Sequence, residues 1–326
     1  MAKRYIPLVH GAIPGRADEQ DTIDTAQHIA ECLRRLGHDC DIVPVDRSLT
    51  ALTGLVQRQI AVVFNLVEAL DGDDALAVNA FEALDRLGLR YTGASAEAYA
   101  RSGSKIAAKG RLREAGIPTP DYWPRGMDIP ADVRVIIKSV DEHGSLGIDA
   151  GSIVTGAEAA AEIRAREARF GGTFFAEEYM EGREFNAALL QGADGVRLLP
   201  VQEIDFSDLP GDAPPIVDYA AKWDPSSAVY HTTPRRFGIE RTDPALAAEL
   251  ARLARAAWDA FELTGYARVD FRVSRSGTPT VLEVNANPCL APDAGFAAAS
   301  AEAGLAYDEV IDTIVRAALP AARKAA

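Results

Sequence analysis

Apolar residues recur along this chain with two spacings, and the spacing switches repeatedly. Residues 4–10 are apolar up to Gly11, a buried strand running into a loop. In residues 18–37 the apolar positions are Ile23, Ala26, Ala30, Leu33 and Leu36, one stripe of a helix with Gly37 as its C-cap. Residues 41–45 and 60–64 read as two more strands, and 74–88 as a helix leading to Arg90-Tyr91-Thr92-Gly93. Strand, helix and strand in succession predict a small parallel sheet that ends near Gly93. Residues 104–116 read as a helix with apolar Ile106, Ala107 and Leu112, capped by Ser104 and stopped by Gly116-Ile117-Pro118-Thr119-Pro120. Strands are predicted at 133–138, 173–178, 185–190 and 197–205, and helices at 157–170, 244–263 and 307–319. A polar, glycine-bearing loop covers 141–147, and a Pro/Asp-rich one covers 208–218.

Residues 267–289 carry the densest chemistry. Val269, Phe271 and Val273 alternate with Arg268, Asp270 and Arg272, the period of a strand, and 281–285 alternates likewise. Residues 274–278 between them are turn chemistry. A turn centred on Ser276-Gly277 sets Asp270 opposite Glu283 and Arg268 opposite Asn285, all on one face. Two carboxylates and an amide oxygen suit Mg²⁺, with waters and phosphate oxygens completing the shell. The arginine beside them suits an anion.

Composition narrows the class. The chain has 326 residues, enough for two or three domains, and its net charge is −14. That balance argues against a nucleic-acid partner. No apolar run reaches the roughly 18–20 residues of a membrane span, and residues 1–10 lack a signal-peptide pattern. Cys32, Cys40 and Cys289 are too scattered for a disulfide framework or a zinc site. A cytoplasmic enzyme or binding protein of small molecules is the expectation.

Lys138 ends an apolar strand, and Gly144-Ser145 follow in the loop, a lysine and backbone N–H groups suited to phosphate oxygens. In order the chain then gives Glu177-Glu178-Tyr179-Met180, Gly182-Arg183-Glu184-Phe185, Lys222, Arg268-x-Asp270 and Leu282-Glu283-Val284-Asn285, all preceded by Lys105. That order resembles the ATP-grasp superfamily and, within it, the D-alanine–D-alanine ligase family. Phe64-Asn65, Leu87 to Gly93 and Ala115 to Pro120 resemble segments of the same family. The resemblance covers roughly residues 60–292 and implies an α/β (α+β) ATP-grasp fold in three domains. Residues 1–96 would form an N-terminal parallel α/β domain, 97–183 a central subdomain, and 184–326 a C-terminal subdomain with the metal hairpin and a mobile lid loop at 208–236.

The resemblance also implies roles. Lys105 and Lys138 would contact ATP phosphates, and Ser145 would lie in the loop closing over them. Glu177 and the Met180 backbone would read the adenine edge, with Tyr179 nearby and Leu282 in the nucleotide set, and Glu184 would bind ribose. Lys222 would reach the γ-phosphate. Asp270, Glu283 and Asn285 would hold two Mg²⁺ ions, or Mn²⁺, and Arg268 would stabilise the oxyanion of a tetrahedral intermediate. A homodimer is the family's usual assembly.

Departures fall on the substrate side. The family's glutamate segment for the first amine is replaced by residues 16–23, where Asp18 or Glu19 supplies an acid. A family glycine is Cys289, and the serine that binds the second carboxylate is replaced near Ala294. Asn287 and Asp293 are the candidate replacements. The sequence therefore ranks an ATP-dependent carboxylate–amine ligase of amino acids or a related metabolite first, and a true D-alanine–D-alanine ligase second. A nucleotide binder without ligase activity, or a biotin-carboxylase-like or purine-biosynthetic member, ranks lower.

Overall fold

The structure, a computed structural model, describes residues 3–11, 13, 17–142, 144–211, 213–224 and 226–320, without the side chains of residues 17, 18 and 223. Arg16, the Asp18 side chain and His143, parts of the expected segments, lie outside the described residues.

The chain begins with β1 (Leu8–His10), α1 (Ala17–Arg35), β2 (Ile42–Pro44), α2 (Thr50–Leu55), β3 (Phe64–Asn65) and α3 (Val78–Arg86). The strands form a parallel sheet of order β2-β1-β3, as the alternation predicts. Helix α1 turns its Ala26, Ile29, Ala30 and Leu33 face to this sheet. It ends where Gly37 takes φ +86°, with His38 N–H donating to the Leu33 carbonyl at 2.9 Å, a left-handed cap. Strand β3 is shorter than the apolar run 60–64 suggests, and α2 has no stripe long enough to announce it.

Helices α4 (Ala96–Gly103) and α5 (Lys105–Glu114) follow. Helix α5 corrects the sequence reading of its face. Ala107 is exposed, and Lys105, Ala108, Lys109 and Leu112 point inward. Ser104 occupies the N-cap position without a side-chain cap bond.

A four-stranded antiparallel sheet comes next: β4 (Tyr122–Trp123), β5 (Arg134–Ser139), β6 (Ile153–Thr155) and β7 (Phe174–Glu178), in the order β4-β7-β5-β6. Helix α6 (Gly156–Phe170) covers it, and Val135, Ile137, Ala159, Ile163, Phe174 and Ala176 form a small core of its own.

The largest sheet runs β11-β10-β8-β12-β13, with β9 beside β8. Its strands are β8 (Gly182–Gly192), β9 (Gly195–Leu198), β10 (Gln202–Ile204), β11 (Arg235–Arg236), β12 (Tyr266–Ser274) and β13 (Pro279–Asn285). Helices α7 (Tyr219–Trp223), α8 (Ile239–Thr242) and α9 (Pro244–Ala260) interrupt them, and α10 (Gly295–Glu302) and α11 (Tyr307–Ala318) close the chain. Leu250, Leu253, Ala257 and Trp258 of α9 share one core with Phe185, Val269 and Phe271 of this sheet and with Val9, Val63 and Phe81 of the N-terminal part. Among the described residues no helix is long and apolar enough to cross a membrane.

Candidate active site

Pairing across the large sheet builds the floor of the site. Gln202, Asn186, Asp270 and Glu283 form one transverse row, and Ile204, Glu184, Arg272 and Thr280 form the next. Asp270 faces Glu283 and Arg268 faces Asn285, the register expected from the turn. The regular alternation expected on the second strand fails at one place. Asp270 pairs with Glu283 but Phe271 pairs with Val281, so Leu282 is the extra residue of a β-bulge. Strict alternation would send Leu282 and Glu283 to opposite faces; the bulge brings both into the cavity.

Arg268 grips Asp270 with two bonds, Nε to Oδ1 at 2.7 Å and Nη2 to Oδ2 at 2.9 Å, and Asn186 Nδ2 donates to Oδ1 at 2.8 Å. Burial alone would loosen the guanidinium's proton, but the Asp270 carboxylate holds it tighter than usual. Asn285 Oδ1 accepts from the Asn287 backbone N–H at 2.9 Å, which fixes its direction. Two carboxylates in register and an oriented amide oxygen fit a hard divalent cation, with the remaining ligands left to water and phosphate. Among the described residues no three His, Cys, Asp or Glu side chains cluster as a complete metal site.

The opposite wall comes from α5 and the four-stranded sheet. Glu177, 1% exposed, lies between two lysines, with Oε1 2.6 Å from Lys138 Nζ and Oε2 2.5 Å from Lys109 Nζ. Burial would raise its pKa, but the two ammonium groups hold it below the ordinary carboxylate value. Lys109 also donates to Thr119 Oγ1 at 3.0 Å, and Thr119 to the Val281 carbonyl at 2.8 Å, tying this wall to the hairpin. Lys105 Nζ donates to the Glu142 carbonyl. Ile136, Tyr179 and Ile216 form an apolar slot with Ile148 beside them, and Met180 Sδ accepts from Thr280 Oγ1 at 3.1 Å. Glu184 meets Arg272 at 3.3 Å, and burial raises its carboxyl.

The loops at 141–147 and 208–236 meet over the cavity. Ser145, with φ +62°, donates from Oγ to the Val217 carbonyl at 3.1 Å, and Arg272 Nη2 donates to the Pro215 carbonyl at 2.6 Å. Lys222 projects from α7, whose N-terminus is capped by Asp218. Burial, and then Arg268, depress its pKa against the pull of Glu283 and Asp270.

One cavity of about 940 Å³ joins these walls. Every expected site residue lines it: Lys105, Lys138, Ser145, Glu177, Tyr179, Met180, Glu184, Lys222, Arg268, Asp270, Leu282, Glu283 and Asn285. Glu19, Asp21, Glu68, Cys289, Asp293 and Arg235 line it as well. The Cys289 thiol donates to Asp21 Oδ2 at 3.1 Å, and burial with Asp21 and Glu68 nearby pushes it well up, so it stays protonated. Asn287, one expected replacement donor, is buried elsewhere. Its Nδ2 donates to the Val67 carbonyl at 3.2 Å, and its Oδ1 accepts from Tyr266 at 2.6 Å. Sequence reasoning missed Lys109, Asn186, Arg272 and Arg235. For Asn186 and Arg272 a signal existed, their period-two spacing from Glu184 and Asp270.

This fold and these walls define an ATP-grasp ligase. The family described as "D-ala D-ala ligase C-terminus" matches residues 128–316. A D-alanine–D-alanine ligase of Gluconobacter oxydans is 32% identical, over 89% of this chain and 91% of its own length. A protein of Sinorhizobium fredii, named only as "Uncharacterized protein y4sG", is 28% identical over 89% of this chain and 86% of its own. The crystal structure of the Bacillus anthracis D-alanine–D-alanine ligase complexed with ATP superposes with a TM-score of 0.75 at 18% identity, covering 97% of each chain. The chain belongs to the D-alanine–D-alanine ligase family and is an ATP-dependent, ADP-forming ligase.

Proposed function

We propose that this ligase joins two D-alanine molecules. The sequence reading ranked that second because of residues 16–23, Cys289 and Ala294. The observation that carries it now is the long match to a named D-alanine–D-alanine ligase, with both chains covered almost end to end. Glu19 and Asp21 in the cavity wall also supply acids for a substrate amine, although the family's segment is missing.

In this reading the slot of Ile136, Tyr179 and Ile216 takes the base, and Glu184 with Arg272 meets the ribose. Lys105, Lys138 and Lys222 hold the phosphates under the Ser145 loop. Two Mg²⁺ ions at Asp270, Glu283 and Asn285 would neutralise phosphate charge. The first substrate's carboxylate oxygen attacks the γ-phosphorus, and ADP leaves. The second substrate's amine attacks the acylphosphate carbonyl, and Arg268 stabilises the oxyanion that forms. Phosphate then leaves with the bonding electrons, and the amine gives up a proton. The closed loops keep water from the acylphosphate.

The test is D-alanine titration with ATP and Mg²⁺, followed by phosphate release and mass analysis. Saturation at about 1 μM–1 mM with D-alanyl-D-alanine as product is the expected result. Phosphate release only with other amino-acid pairs would restore the broader amino-acid ligase reading, which the missing hydroxyl at Ala294 favours.

A further inference from the structure

Arg235 is an exposed residue whose side chain nonetheless reaches the cavity wall. It lies on the edge strand β11, paired with Ile204, and both line the cavity. Its neighbour Arg236 turns to the other face and pairs with Asp205. Arg235 has no such carboxylate. Among the described residues its one hydrogen bond runs from Nη1 to the Asp293 backbone carbonyl, at 2.9 Å. That bond lays the guanidinium along residues 293–295, and a Cβ built on Gly295 would come 3.6 Å from Arg235 Nε. Gly295 opens α10, and the N-cap residue Ala294 has no side-chain oxygen to receive the first-turn N–H groups. A guanidinium with unused donors thus lies beside the N-terminus of α10, which has no side-chain cap, in the cavity wall. A carboxylate satisfies both at once.

The charge pattern agrees. Although Arg235 is exposed, partial desolvation by the cavity wall lowers its proton affinity, and Arg268 lowers it further against the pull of Asp293. Two guanidiniums therefore repel each other across one cavity, and an anion between them relieves that cost.

We propose that Arg235 binds the carboxylate of the acceptor amino acid, a role that Ala294 has no hydroxyl to fill. The proposal rests on the ligase reading above. Held there, the acceptor points its amine back toward Arg268, where the acyl carbon must lie. A purely structural Arg235 would only tether the loop through Asp293.

The experiment separates these cases with two assays on the full chain and Arg235→Ala. Hydroxylamine trapping with D-alanine, ATP and Mg²⁺ reads acylphosphate formation and needs only the donor site. Dipeptide formation reads the acceptor. Arg235→Ala should keep hydroxamate formation within about twofold and raise the acceptor KM about tenfold or more, as loss of a charge-assisted bond implies. It should also stop discriminating D-alanine from D-alaninamide, an acceptor without the carboxylate. Adding Ala294→Ser should recover part of the loss. Unchanged acceptor KM, or equal loss in both assays, overturns the proposal while the ligase reading stands. Absence of both hydroxamate and dipeptide in the wild type overturns the D-alanine reading, and this proposal with it.

Discussion

Lys109 carries an ammonium group to 1% exposure, where a lone charge would be very costly. Glu177 is the partner that makes this tolerable, and Lys138 completes the arrangement. Removing one member of such a buried set costs about 3–5 kcal/mol. Lys109→Met should therefore lower the melting temperature by several degrees and weaken ATP binding, because Glu177 is left held from one side. The acid limb offers a second readout. The folded pKa of Glu177 lies below its ordinary 4.5, so the folded state binds fewer protons there than the unfolded one. Its stabilisation is complete above that value and disappears as pH falls through the folded pKa. Melting curves over about pH 5 to 3 should be shallower in the variant; a wild-type midpoint and acid profile would remove Lys109 from the site. Nothing in the sequence pointed to Lys109. A lysine among alanines reads as solvent-facing, its partner lies far along the chain on β7, and the apolar pattern puts Ala107 on the buried face instead.

At the level of elements the hairpin β12–β13 was the most legible part of the chain. Alternation and a glycine turn specify register, and register puts Asp270 beside Glu283. What alternation cannot announce is an extra residue. By alternation alone Leu282 falls on the face opposite Glu283; its place in the nucleotide set came from the family resemblance, and the bulge is what turns it into the cavity. The bulge also makes Leu282 removable. Without it, Val281 and Glu283 become neighbours and still face Phe271 and Asp270. The deletion variant should fold, keep its dependence on Mg²⁺, and raise the KM for ATP severalfold. Loss of folded protein would mean that the bulge residue is needed for the hairpin itself. Helices α2, α4 and α10 escaped sequence reading for a simpler reason. Each is at most eight residues long, too short for a periodic stripe.

For the whole molecule, alternating strands and helices gave away the parallel N-terminal sheet, and motif order gave away the family. The relation between the sheets was not readable, because core contacts join residues far apart in sequence. One core joins Ile29, Leu33 and Phe64 to Ala188, Leu190, Tyr266 and Ile311, so the first and third sheets pack as one block. Gly265 approaches so closely that a Cβ there would lie 2.9 Å from Gly93 Cα, a junction with no room to slide. The four-stranded sheet instead has a small core of its own. We therefore expect the molecule to work as a stator and a rotor. The stator holds the carboxylates and Arg268, and the rotor holds Lys138, Glu177 and the Ser145 loop. On that expectation a motion that opens the cavity turns the rotor and loads the Lys109–Glu177 pair that joins it to α5, since bending the stator would break a shared core. Hydrogen exchange with and without Mg²⁺ and ATP should show protection gained at 122–178 and 208–236, while 8–65 barely changes. Equal changes in the first sheet would mean that the supposed stator moves too. If exchange falls out that way, the catalytic cycle is a jaw closing on a fixed anvil, with the carboxylates and Arg268 on the part that stays still.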